Sequence, residues 1–408
     1  MNVLHLSFLD NKGGSARGAY RLHTALRQQG VGSQMVVRHK TTHDPHVQLA
    51  TFGLLARLDA LAGRVADAFS MEAAFYPSSF ALKFRPAFKD ADVVQLYNIH
   101  GGYFGTAALP ALSRAKPVVW QLDDMWALTG HCAYSFDCTR YLTGCGQCPH
   151  LDEPVPLRRD TTAALWKMKN SIYSRSRITV VAPSRWMEEC ARSSPLLGRF
   201  PVRRIPYGID TSLFRPMRRS AREVLGLAQD RPMILFGAES VAQERKGAKY
   251  FCEAIARLDP AVRRKITLLI VGLGADRLEL PADVEVKRFG MVKDDRLVAA
   301  IYAAADIFVL TTLADNLPNV LLETLACGTP TVAFNTGGVP DAVRHMETGY
   351  LAAPRSAPEV TAGIERLIAD TALRETLSRN AREVAVREYP IALQTERFLS
   401  LYKELAAR

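Results

Sequence analysis

No stretch of the 408 residues approaches the roughly 18 consecutive apolar residues of a membrane-spanning helix, which excludes a polytopic membrane protein. The N-terminus runs straight into the strand-like VLHLSFL, so no signal peptide is expected. Cysteine is sparse, seven in all, unlike the paired framework of a small secreted domain; a cytoplasmic location is the expectation. No Asp or Glu stands out as a covalent nucleophile. Lys and Arg are scattered rather than clustered with aromatics, which argues against nucleic acid as a partner. What is present is apolar material, 48% of the chain, in a length that predicts two domains or slightly more. The net charge of +11 is lopsided. Residues 1–207 hold 25 Lys and Arg against 15 Asp and Glu, and residues 208–408 hold 27 against 26. A basic half suits an anionic membrane face, a pyrophosphate-lipid acceptor or nucleic acid, or is simply solvated surface.

Short apolar runs recur through the chain, each followed by a polar loop and a helical pattern, beginning with VLHLSFL, a Gly-rich loop, a helix ending at Gly30 and VGSQMVVRH. This βαβ order opens a doubly wound sheet. A second series starts at PMILFG, and the Pro-rich RFPVRRIPYGIDTSLFRP between the two series is the natural linker. Near the C-terminus AADIFVL predicts a strand, ADNLPN a turn, VLLETLACG a helix with Gly328 as its C-cap, TPTVAF another strand and NTGGVPD a loop. In a parallel sheet, ligands gather where such loops follow the strands. A helix beginning near Asn319 offers free backbone N–H groups to a phosphate. Asp315 on the loop and Glu323 one turn into the helix can accept hydrogen bonds from sugar hydroxyls; alternatively they are a dipole-favouring acid and a solvated Glu. Arg245 and Lys246, just before Gly247 and another helix, oppose that helix's dipole and so call for an anion; a diphosphate clamp is the reading, against a solvated pair.

The order DNLPN, Glu323, ACGTPTVAF and GGVPD resembles the donor-sugar motif of the retaining glycosyltransferases of family 4, and the resemblance extends over essentially the whole chain. It implies the GT-B fold: an α/β architecture with two Rossmann-like doubly wound domains facing across a cleft. Residues 1–207 would form the acceptor-side domain, 208–387 the nucleotide-sugar domain, and 388–408 a helix crossing back to the first. In the family a Glu-x7-Glu motif grips the donor; here Glu323 would hold the ribose, and Asp315, one methylene shorter than Glu, would touch the transferred sugar. Arg245, Lys246, Asn319, Val320 and Glu323 are thereby donor contacts, joined by Gly13 and Gly14 in a loop that lacks the GxGxxG dinucleotide fingerprint. The resemblance also places His100 near the donor sugar and puts Asp123-Asp124 where the family has His-Asp. His100, Asp124 and Asp315 are thus the catalytic candidates. From the residues alone, His100 can be a structural histidine, Asp124 a turn cap and the glycines a tight turn.

His131 to His150 holds Cys132, Cys138, Cys145 and Cys148. Their spacing suits tetrahedral zinc, with His131 and His150 as spare ligands, though free or disulfide-bonded thiols are the alternative. A similar loop occurs in family members from bacterial polysaccharide clusters. FGLLARLDALAGRVADAF, from Phe52 to Phe69, carries an apolar stripe with Arg57 and Arg64 beside it; it faces the core or lies in a membrane interface. The resemblance therefore implies a cytoplasmic enzyme at the inner face of the cell membrane, moving a sugar from a UDP- or GDP-sugar to a glycan or polyprenyl-pyrophosphate-linked acceptor. A structural zinc, peripheral membrane association and no catalytic metal accompany that expectation. A sugar-nucleotide epimerase on the same fold and a non-catalytic scaffold are the alternatives.

Overall fold

The computed structural model describes residues 1–51 and 53–407. The chain forms two compact units: Met1–Gly208 together with the segment from Ala392 onward, and Ile209–Ile391. The expected divisions lay after residues 207 and 387.

The first unit is built on a seven-stranded parallel sheet. Its strands are β1 (Asn2–Leu9), β2 (Gly32–His39), β3 (Val47–Leu49), β4 (Val93–Leu96), β5 (Val118–Gln121), β6 (Ile178–Ala182) and β7 (Val202–Arg204), in the order 3-2-1-4-5-6-7. Strands β4, β5 and β6 are buried along their whole length, which is why they read as continuous apolar runs rather than alternating ones. Helix α1 (Gly14–Gln28) follows β1 and buries Ala16, Ala19, Leu22 and Leu26. The C-terminal helix Ile391–Ala406 contributes Phe398, Leu401 and Tyr402 to a cluster with Val3, Leu22, Val93, Val119 and Val181. The last stretch of chain is thus part of the first unit's core.

The second unit has six parallel strands: β8 (Met233–Ser240), β9 (Thr267–Leu273), β10 (Glu285–Gly290), β11 (Ile307–Leu310), β12 (Thr331–Phe334) and β13 (Gly349–Ala352), in the order 10-9-8-11-12-13. Phe236 and Phe251 stack at 4.2 Å between centroids in its core. In each sheet the strand order reverses once, between β1 and β4 and between β8 and β11. A crevice opens at such a reversal beyond the carboxyl ends of the strands.

Helix α2 (Gly53–Ala68) departs from the core-facing expectation. It buries only Asp59 and Ala66, and its apolar stripe points to solvent. Phe52, the first residue assigned to that stripe, lies outside the described residues.

Candidate active site

The second unit's candidates meet at its reversal point. The loop after β8 passes through a short turn at Glu244–Lys246 and then Gly247, in the left-handed region at φ 67°. A Cβ on Gly247 would lie 1.9 Å from the Thr311 carbonyl, so the loop needs glycine to reach the end of β11. Leu313 N donates to the Arg245 carbonyl at 2.8 Å, zipping the two loops together. Arg245 and Lys246 thereby converge on Asp315: Lys246 Nζ is 2.5 Å, and Arg245 Nη1 3.2 Å, from Asp315 Oδ2. Arg245 Nη1 also donates to the Ala314 carbonyl at 2.6 Å. Asp315 is 7% exposed. Burial pushes its carboxyl up, but Lys246 and Arg245 pull it down further, and the net position is below the usual carboxylate range. Gly338 N donates to the Asp315 carbonyl at 3.2 Å, which seats the loop after β12 against the same residue.

The helix Asn319–Ala326 follows directly, with Pro318 before it and no side-chain cap. Asn319 and Val320 are half-buried at its start. Glu323, expected to be solvated if it has no ligand role, is buried at 3% exposure. The trio of cations and acid can hold a diphosphate: two positive charges converge at the end of β11, beside a helix start.

The first unit's candidates cluster at its own reversal point. Gly13, at φ 86°, precedes Gly14 at the start of α1. Ser15 Oγ donates to Asp123 Oδ2 in a short contact. Tyr207 Oη and Gln121 Nε2 each donate to Asp123 Oδ1 at 2.7 Å. Burial pushes the Asp123 carboxyl up to about 6, against the opposing pull of these three donors. Asp124, its neighbour, pairs instead with His100: Nε2 to Oδ2 is 2.9 Å, and the His100 ring lies 5.5 Å from Trp126. Asp124 Oδ1 also accepts from Trp126 N at 2.9 Å, so it caps the turn and holds the histidine at once. His100 with a carboxylate on one nitrogen is arranged to exchange a proton or orient a hydroxyl.

Three residues here escaped the sequence reading. Tyr207 falls in the segment read as the linker, Glu72 accepts from Gly101 N at 3.2 Å, and Lys169 lies in the helix Thr162–Tyr173. Lys169 is 1% exposed, with Nζ 3.5 Å over the Trp126 ring. It donates to the carbonyls of Trp126 (2.6 Å) and Thr129 (2.9 Å), and burial pushes it down to about 7. No local signal marks a lysine for burial; the two carbonyls it satisfies and the Trp126 ring beneath it account for it.

The structure lends the zinc expectation no support. Cys132, Cys138, Cys145 and Cys148 do line one small cavity with His131 and His150. Yet among the described residues no three His, Cys, Asp or Glu are disposed to hold a metal ion. The groups are engaged separately. Cys145 Sγ accepts from Gly130 N at 3.2 Å, and His131 lies between the Val155 carbonyl (2.8 Å) and Cys148 Sγ (3.4 Å). Burial pushes the Cys132 and Cys145 thiols up to about 12 and about 11.

The architecture matches solved structures along its full length. Sucrose-phosphate synthase from Thermosynechococcus elongatus aligns with a TM-score of 0.72 at 20% identity, covering all of both chains. The GT-B fold is shared. Anabaena HepE in complex with UDP-glucose aligns at a TM-score of 0.67 and 16% identity, over 99% of this chain and all of that one. Within this GT-B chain, residues 231–370 match the family described as glycosyl transferases group 1. That span contains Arg245, Lys246, Asp315 and Glu323 and none of the first unit's candidates. The D-inositol 3-phosphate glycosyltransferase of Saccharomonospora viridis is 30% identical over 221 residues, covering 50% of this chain and 51% of that protein. The chain spans about half the length of the curated relatives it matches first.

Proposed function

We propose that this chain is a retaining glycosyltransferase. It moves a sugar from a UDP- or GDP-sugar to a glycan or polyprenyl-pyrophosphate-linked acceptor in bacterial surface polysaccharide biosynthesis, working peripherally at the cytoplasmic face of the cell membrane. The observation that carries the reading is the buried convergence of Arg245, Lys246 and Asp315 at the carboxyl ends of β8 and β11, inside the segment that matches the transferase family. The second unit holds the donor. Arg245, Lys246 and the start of the helix Asn319–Ala326 take the diphosphate, and Glu323 takes the ribose. Asp315 keeps the two cations aligned and meets the sugar. Asp124 takes the acceptor, His100 serves the transferred sugar, and the loop at Gly13 and Gly14 serves the donor phosphates. The chemical step is a same-face displacement in which the leaving diphosphate helps to remove the acceptor proton. Arg245 and Lys246 stabilise the charge that grows on the diphosphate.

A thermal-shift series with UDP, GDP and their sugars tests donor binding, because a ligand of the folded state raises the melting temperature. Release of nucleoside diphosphate that depends on added acceptor then distinguishes transfer from epimerisation. Absence of any shift with every nucleotide-sugar would remove the donor assignment.

A further inference from the structure

Helix α2 is packed through its polar and small side. Asp59 is 2% exposed and accepts from Ser78 N at 3.0 Å, and Gly63 lies against Tyr76. The opposite consequence is an uncovered stripe. Leu54, Leu58, Leu61 and Val65, with Phe69 directly after the helix, are 70, 41, 59, 52 and 66% exposed, at spacings that put them on one helical face. Phe75 and Phe84 downstream are 52 and 66% exposed. Of the fifteen large apolar side chains exposed among the described residues, seven therefore fall between Leu54 and Phe84, a concentration that marks an interaction surface. The exposed charges in that same segment are Arg57, Arg64 and Lys83 against Asp67 alone. Arg57 and Arg64, two turns apart, flank the stripe, and Lys83 Nζ sits 4.9 Å over the Phe84 ring.

We infer that α2 and Phe69 dock on an anionic lipid bilayer, with the leucines, Val65 and Phe69 entering the headgroup boundary and Arg57 and Arg64 meeting lipid phosphates. Charge decides the occupant. The surrounding half of the sequence carries an excess of ten cations, which a negative leaflet complements. A second copy would instead bring the same cationic half to the contact, and like charges oppose such a pairing. The inference rests on the proposed function only for its biological sense, a membrane-borne acceptor; the surface itself is independent of it.

Sedimentation of the full chain with phosphatidylcholine vesicles, with and without phosphatidylglycerol, is the test. Binding is expected to the anionic vesicles and not to the neutral ones. The Leu58→Glu/Leu61→Glu/Phe69→Glu variant should abolish it, and Arg57→Gln/Arg64→Gln should weaken it by about tenfold or more. Melting temperature and UDP or GDP binding, measured on the same preparations, should stay unchanged in both variants, so the membrane and donor assignments stand or fall separately. Equal binding to neutral vesicles, wild-type pelleting of the triple variant, or no pelleting at all would overturn the inference. So would a dimer in solution that the triple variant dissolves without any vesicle binding, since a second copy would then be what covers the stripe.

Discussion

Lys246 Nζ lies 2.5 Å from Asp315 Oδ2, and Arg245 reaches the same oxygen at 3.2 Å. The sequence separates Lys246 from Asp315 by 69 residues, and the reversal between β8 and β11 brings them together. One buried carboxylate holding two half-buried cations has two effects. It fixes both side chains in place ahead of any ligand, and it sets two positive charges around one carboxylate oxygen. Ion pairs of this burial are costly to desolvate unless their geometry and remaining hydrogen bonds are good. Here Arg245 has the Ala314 carbonyl as well. The arrangement suits a site held ready for an anion.

Lys246→Ala and Arg245→Ala should each lower turnover by about 10²–10³-fold with the fold retained, because each removes a charged contact to a developing anion. Steady-state nucleoside-diphosphate release with circular dichroism alongside checks this. Near-normal rates in both variants would sink the diphosphate role.

Glu323→Ala should weaken nucleotide-diphosphate binding by about 1–3 kcal/mol, the cost of leaving ribose hydroxyls without their acceptor. Titration calorimetry with UDP and GDP reads it directly. Asp315→Glu keeps the charge at the end of a longer arm and should retain measurable activity. Unchanged nucleotide affinity in Glu323→Ala would mean that this buried carboxylate serves the fold alone.

Gly247→Ala should destabilise the second unit by more than about 1 kcal/mol. Its positive φ and the approach of the Thr311 carbonyl to 1.9 Å from the added Cβ allow no side chain without moving a loop. Arg245 and Lys246 sit on that loop, so the melting temperature and the turnover should fall together. A variant that melts like the wild type would show that the loop gives way freely.

Much of the fold was legible because a buried parallel strand is a short continuous apolar run, and most strands of both sheets announced themselves that way. The short edge strands β3, β7 and β13 did not. Two of the three residues in β3 and in β7 are exposed and the middle of β13 is half-buried, so no continuous apolar run marks them, and Val202–Arg204 falls inside the Pro-rich linker. The site was legible where chemistry sits at a loop next to a helix start, as at Lys246 and Asp315. It was illegible where a role depends on a distant partner: Tyr207 reaches Asp123 across 84 residues, and Lys169 is explained by the carbonyls of Trp126 and Thr129 and by the Trp126 ring. The cysteine spacing correctly implied that the four sulfurs meet in one cavity, but spacing carries no information on whether they meet as ligands. Helix α2 shows the limit of periodicity most clearly. An apolar stripe tells which side chains share a face, and the buried Asp59 decided which face turned inward.

Asp123 gives the last prediction, through pH. Its carboxyl is pushed up to about 6 by burial, against an ordinary value of 3.8. Between about pH 4 and pH 6 the folded protein therefore holds a proton that the unfolded chain has released. By linkage, this group's contribution to stability is greatest at the acid end of that window and falls as the pH rises through it, then stays level above about 6. The full difference is about 3 kcal/mol. His5 and His23, both lowered chiefly by burial, act in the opposite sense, losing stability as the pH falls, so the wild-type profile alone does not isolate Asp123. Asp123→Asn does, because it removes this titration and leaves the histidines. The stability of Asp123→Asn relative to wild type, from urea unfolding at several values between about pH 4 and pH 7, should rise through the window and level off near 6. An unchanging difference across that range would mean that Asp123 is ionised throughout, its burial fully offset by Ser15, Tyr207 and Gln121.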